Sequence, residues 1–249
     1  MDSKRFDNSV LRTSESVLIV AEAAAGELVR HLQGAGAYLL APGERDTVRD
    51  VLFPGGQFDV RFAGQDATWI AAQAGLRVPD ATRTLLAPFP HVVPEEPLAR
   101  EKPCPVLSLT QAGSVRHGIG AARAVLRLGG QGHSAAIHAA DPATIMEYGA
   151  ALNVARVAVN AGSSLRRAGA GTRAVPLVTT GTGSSGRSAA GGSLEPGDLV
   201  RWTRLACRGD TAPGFGDLTG LMPWEAPEGV VPPYPVASNL RDGEDEAGD

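Results

Sequence analysis

Cysteine is scarce, with only Cys104 and Cys207 in 249 residues. Two thiols cannot build a disulfide framework, and this pair has no metal-ligand spacing, so neither a stapled secreted domain nor a structural metal site is expected. Charge of one sign is lacking too. Lys and Arg total 23 against 27 Asp and Glu, a net charge of −4, which excludes the basic face that an electrostatic nucleic-acid binder needs. No stretch reaches the roughly 18 consecutive apolar residues of a membrane span. The first twenty residues carry Asp2, Asp7 and Glu15 and have no clean apolar core, so no secretory signal is expected. The reading is a reduced, cytoplasmic protein with no membrane and no nucleic acid among its partners. There is no internal repeat.

What is present is a globular composition, 43% hydrophobic and 20% charged, of a length that suits one large domain or two small ones. A short apolar run, Val17–Ala21, suits a buried strand, and Ala23–Gln33 follows with Leu28, Val29 and Leu32 on one helical face. Tyr38–Leu40 is a second apolar patch. Pro42 opens a helical pattern through Val48, Val51 and Leu52 that Pro54-Gly55-Gly56 ends, and Gln65–Ala74 reads as another helix stopped by Gly75. Thr84–Ala87 and Val106–Leu109 are strand-like, joined by the loop Pro88–Pro105. Val115–Leu128 is helical, Ser134–Ala139 a strand, Asp141 caps a helix running from Pro142 to about Leu152, and Arg156–Asn160 is a further strand. This alternation predicts crossover units and an α/β fold, an open, largely parallel sheet with helices on both faces. Gly162–Gly192 reads as loop or poorly ordered chain, and Leu199–Leu205 as a short strand or a helix. The Pro-rich, acidic stretch beyond Cys207 is expected to be disordered.

The local motifs point weakly to chemistry. Gly181-Thr182-Gly183-Ser184-Ser185-Gly186 has the G-x-G-x-x-G spacing of a pyrophosphate turn. That turn needs a helix after it and an acid about twenty residues on, whereas Ser188–Ser193 starts a helix poorly and Trp202-Thr203-Arg204 stands where the acid belongs. A loop is the better reading. His133 and His138 are five apart on a strand, so their rings take opposite faces and share no metal. Glu95-Glu96 is either a solvated loop or a carboxylate for ribose hydroxyls. Cys104, between two prolines, reads as an inert thiol, and Cys207 has Arg204 and Arg208 beside it. Ser163-Ser164 and Ser184-Ser185 lack an esterase elbow.

Taken in order, several segments resemble the coenzyme A-acylating aldehyde dehydrogenases. Ser3-Lys4-Arg5-Phe6-Asp7-Asn8 with Ser14-Glu15-Ser16 resembles their nucleophile segment, and Pro94–Lys102 their nucleotide-contact loop. Gly129–His138, Arg156–Asn160, Gly181–Gly186 and Pro196–Ala206 follow in the family order. The resemblance covers about residues 3–206 and implies an aldehyde dehydrogenase catalytic-domain-like fold for 1–206, with 207–249 as a tail. It also implies the family reaction. A cysteine thiolate attacks an aldehyde, the adduct gives hydride to NAD(P), and coenzyme A takes the acyl group from the thioester.

Two departures shape the functional expectation. Arg12 stands at the nucleophile's place, and a guanidinium stays protonated and attacks no carbonyl. Met1 opens just before that segment, so the N-terminal dinucleotide-binding half is expected to be absent. Glu96 matches the carboxylate that holds the nicotinamide ribose, and Leu98 replaces an aromatic neighbour; Thr182 and Ser185 replace a second cysteine and a tryptophan. No metal is implied. The expectation is a pseudoenzyme or half-enzyme with no catalytic residue of its own. Glu96 and Leu98 are its cofactor contacts, and its partner is a second copy or a separate NAD-binding chain.

Overall fold

The computed structural model describes residues 1–11, 13–129, 132–164 and 203–207. All of them lie in one unit, Met1–Pro213; the second unit, Gly214–Asp249, falls outside the described residues, as does the glycine motif at 181–186.

A single helical turn, Asp2–Arg5 (α1), precedes the alternating elements. These are Val17–Ala21 (β1), Glu22–Gly34 (α2), Ala37–Leu39 (β2), Pro42–Leu52 (α3), Ala67–Gln73 (α4) and Thr84–Pro88 (β3). Then come Val106–Ala112 (β4), Val115–Gly129 (α5), Gly132–Ile137 (β5), Pro142–Ala151 (α6), Val154–Val159 (β6) and Arg204–Cys207 (β7). Helix starts follow local chemistry. Asp141 accepts from the amides of Ala143 and Thr144 at 3.2 and 3.0 Å with Pro142 behind it, and Glu44 accepts from Ala41 N at 2.8 Å beside Pro42.

Among the described residues every strand pairing is parallel, as the α/β expectation has it. The described strands form two sheets, with orders β1-β4-β3-β2 and β5-β6-β7, where the sequence pattern suggests one. Hydrophobic periodicity reports that a strand exists and not which neighbour it pairs with, so this division was invisible to it. Of the stretch Leu199–Leu205, read as a short strand or a helix, Arg204 and Leu205 lie in strand β7 and 199–202 lie outside the described residues.

Side-chain alternation splits the first sheet into two packed faces. Leu85, Ala87 and Val106 pack with Val48 and Leu52 of α3 and Ile70 and Ala71 of α4. Leu86, Leu107 and Leu109 face the other way, against Ala25, Leu28 and Leu32 of α2. Coverage on both faces explains why β3 is buried from Thr84 to Ala87 without alternation.

Candidate functional site

Two segments that are ninety residues apart in sequence come together. The chain from Ser3 to Ser16 lies against the loop that precedes β4. Lys102 N donates to Ser16 Oγ at 3.0 Å, and Lys4 Nζ donates to Lys102 O at 3.3 Å. Both lysines are almost completely enclosed, 2% and 1% exposed. Lys102 Nζ also donates to the carbonyls of Leu98 and Arg100 at 2.8 and 2.7 Å. Burial pulls the Lys4 amine down to about 8, against attraction from Cys104, Glu15 and Glu101. Burial, and then repulsion from Lys4, pulls Lys102 down to about 7. Burial pushes the Cys104 thiol up, although both lysines oppose it.

The segment from Ser3 to Ser16 is also pinned by residues that follow β6. Ser3 Oγ donates to Glu15 Oε2 at 2.7 Å and accepts from Ser164 N at 2.9 Å. Ser164 Oγ donates to Ser3 O at 2.6 Å, and Ser163 N donates to Glu15 Oε1 at 2.7 Å. The turn carrying these serines is set by Asn160, whose backbone is left-handed at φ 52°. Its side chain mimics a peptide group, accepting from Ala139 N and donating to Ala139 O, each at 3.0 Å.

Between these anchors the backbone is strained. Asp7, Asn8 and Ser9 all take positive φ, at 51°, 44° and 67°, a region in which a non-glycine residue costs roughly 1–2 kcal/mol. Compensation is local. Asn8 Nδ2 donates to Gly64 O at 3.0 Å and Asp66 Oδ1 at 2.9 Å, and Ser9 Oγ donates to Lys4 O. Immediately beyond position 12, the hydroxyls of Thr13 and Ser14 are buried with no hydrogen-bond partner.

The sequence-predicted residues are distributed unevenly. Arg12 lies outside the described residues, and so does the side chain of His133. Glu96 caps the short turn Pro97–Ala99, its Oε1 accepting from Leu98 N at 2.9 Å. Leu98 is fully buried in the core beside Ala99, Cys104 and Val106. Arg100 holds the loop closed by donating to Gly56 O at 2.6 Å and Pro94 O at 2.8 Å. Sequence reasoning missed the Lys4–Lys102 pair and the Ser3–Glu15–Ser164 network. A lysine in a polar stretch carries no local sign of burial; the one available signal was that both lysines fall inside the two segments singled out for their resemblance.

No family model matches the chain. It is 33% identical over 216 residues to an aldehyde-alcohol dehydrogenase of Streptococcus pneumoniae, a match covering 83% of this chain and 24% of that protein. An acetylating aldehyde dehydrogenase from Geobacillus thermoglucosidasius has the same fold, with a TM-score of 0.72 and 30% identity over 76% of this chain and 42% of its own. A Rhodopseudomonas palustris propionaldehyde dehydrogenase with bound propionyl-CoA follows, with a TM-score of 0.61 and 25% identity over 68% of this chain and 37% of its own. The chain thus spans about a quarter of the bifunctional relative and well under half of the two solved structures. The parallel α/β architecture and these matches define an aldehyde dehydrogenase fold. The chain belongs to the acylating branch of that superfamily. Among the described residues, no helix is long and apolar enough to cross a membrane, and no group of His, Cys, Asp and Glu is placed to hold a metal ion.

Proposed function

We propose that this chain is a non-catalytic acylating aldehyde dehydrogenase homologue, retaining the scaffold for ligand binding or association. The reading rests on Arg12, which the family resemblance sets at the place of the thiolate. Loss of a covalent nucleophile costs on the order of a million-fold in turnover in a comparable enzyme. Cys104 and Ser3 are poor replacements. Cys104 is enclosed and its thiol is pushed up by burial, so it stays protonated and out of reach. The Ser3 hydroxyl is committed to Glu15 and Ser164.

The ligands this reading calls for are NAD(P) and coenzyme A, by family resemblance. Glu96 is the carboxylate for a ribose hydroxyl, and Leu98, fully buried, backs the turn that carries it rather than the ribose itself. A grip from Glu96 alone supplies about 1–3 kcal/mol, far short of useful affinity. Dinucleotide binding at the proposed catalytic domain, 1–206, therefore needs contacts beyond Glu96 and Leu98.

The test pairs the natural protein with Arg12→Cys. The natural chain is expected to give no reduced nicotinamide from aldehyde, NAD(P) and coenzyme A. On incubation with propionyl-CoA, Arg12→Cys is expected to gain an acyl group at residue 12, seen by peptide mass spectrometry, as the new thiolate attacks the carbonyl and coenzyme A leaves. Turnover above background by the natural chain would falsify the proposal.

A further inference from the structure

Helix α5 carries Arg116, His117, Arg123 and Arg127 and not one acidic residue. Arg123 and Arg127 are both exposed and sit one turn apart, so their side chains share a face. Like charges at this spacing repel and weaken a helix by a few tenths of a kcal/mol. On α3 a pair at the same spacing is neutralised. Arg45 and Arg49 on α3 meet Asp46 at 2.7 and 3.0 Å, and Arg61 meets Asp59 at 2.6 Å. Arg123 and Arg127 have no ion pair among the described residues. They line instead a small, half-open cavity of about 40 Å³, together with Leu126 of their own helix, Ala151 at the end of α6 and Asn153 in the turn into β6.

We propose that this cavity binds a phosphate group, held between the guanidiniums of Arg123 and Arg127. Guanidinium presents a planar fork of donors that matches phosphate oxygens, and two forks one helical turn apart can take two edges of one tetrahedral anion. A dianion there removes the repulsion that the bare pair suffers. The cavity walls are helix α5, the end of α6 and the connection into β6. The fully enclosed lysines at 4 and 102 play no part in it. The ligand is a free phosphate ion or a phosphomonoester end of a larger molecule.

Isothermal titration and thermal shift with inorganic phosphate, against potassium chloride of equal ionic strength, test the site on the full chain. Phosphate is expected to bind and to raise the melting temperature, and Arg123→Gln/Arg127→Gln to weaken binding by roughly tenfold or more, as expected for two lost charge-assisted hydrogen bonds. Arg30→Gln, an exposed arginine on α2, serves as the charge control and is expected to leave binding unchanged. Coenzyme A compared with dephospho-coenzyme A, which lacks the 3′-phosphate, separates the two sources. A preference for coenzyme A that the double variant abolishes assigns the site to a phosphomonoester, and phosphate binding without it assigns the free ion. Equal phosphate response in the natural chain and the double variant overturns the proposal. So does a double variant that loses stability with no phosphate-dependent difference, since the arginines would then serve only the α6 end.

Discussion

Ser3 and Ser164 are 161 positions apart, yet their hydroxyl oxygens lie 2.6 Å from one another. That approach depends on Gly162, where an added Cβ would sit 2.5 Å from the Cβ of Ser3. Gly162→Ala is therefore expected to cost about 1–3 kcal/mol in a urea titration, the usual penalty of overpacking. In a Ser3→Gly background the same substitution should cost markedly less, because the opposing carbon is gone. Equal penalties in both backgrounds would place the strain elsewhere.

The buried amines predict a pH dependence. Lys4 at about 8 and Lys102 at about 7 lie below their ordinary value of 10.5. Between those values the unfolded chain binds more protons than the native one, so this contribution to stability grows as pH rises from about 7 towards 10 and is lost on descent. Cys104 and Tyr148 work against it, because burial pushes both upward, Tyr148 to about 12. The informative quantity is hence a difference. Lys102→Met is expected to flatten the rise in melting temperature between pH 7 and 9.5 relative to the natural chain, and an unchanged slope would contradict the burial of its amine.

The left-handed run gives a contrast between neighbours. Asn8 uses its side chain to reach Gly64 and Asp66, whereas Asp7 at φ 51° is offered no such compensation by its own side chain. Asp7→Gly is expected to be neutral or to stabilise by up to about 1 kcal/mol. Asn8→Ala keeps the strain and loses both hydrogen bonds, and is expected to destabilise by about 1–3 kcal/mol. Chemical denaturation distinguishes the two signs directly.

Arg100 spans two loops through the carbonyls of Gly56 and Pro94. Arg100→Ala is expected to speed proteolysis within 88–105 several-fold while leaving far-ultraviolet circular dichroism unchanged, since no strand or long helix depends on it. Cleavage at the natural rate would show that the loop is held by other contacts.

Much of this architecture could be read from residue pattern, and the reasons are local. Asp141-Pro142 marked the start of α6, and the apolar run in β3 marked a strand covered on both sides. Boundaries drifted where no punctuation exists, as in β4, which continues to Ala112 beyond the expected Leu109. Long-range pairing was not legible. Nothing near Ser3 announces Ser164, and nothing near Lys102 announces Lys4, because each contact is decided by where whole strands and turns finish. Within the site, Glu96 was singled out for ligand chemistry and is found capping the turn at Leu98; its role towards a ribose stays a proposal. Cys207, the first residue read as tail, closes strand β7; the rest of that reading, 208–249, and that of the glycine motif as a loop fall outside the described residues.

The bridge from Ser163 and Ser164 back to Glu15 and Ser3 also fixes an order of events. Closing so large a loop carries an entropic cost that only a nearly finished scaffold repays. The first residues of the chain must therefore wait for β6 and the Asn160 turn to form before they can settle. During synthesis that means Ser3 and Glu15 are left unsatisfied until Ser164 has been made. Once folded, the amides of Ser163 and Ser164 should be among the earlier ones to exchange with deuterium, because the last contact to close is the first to open.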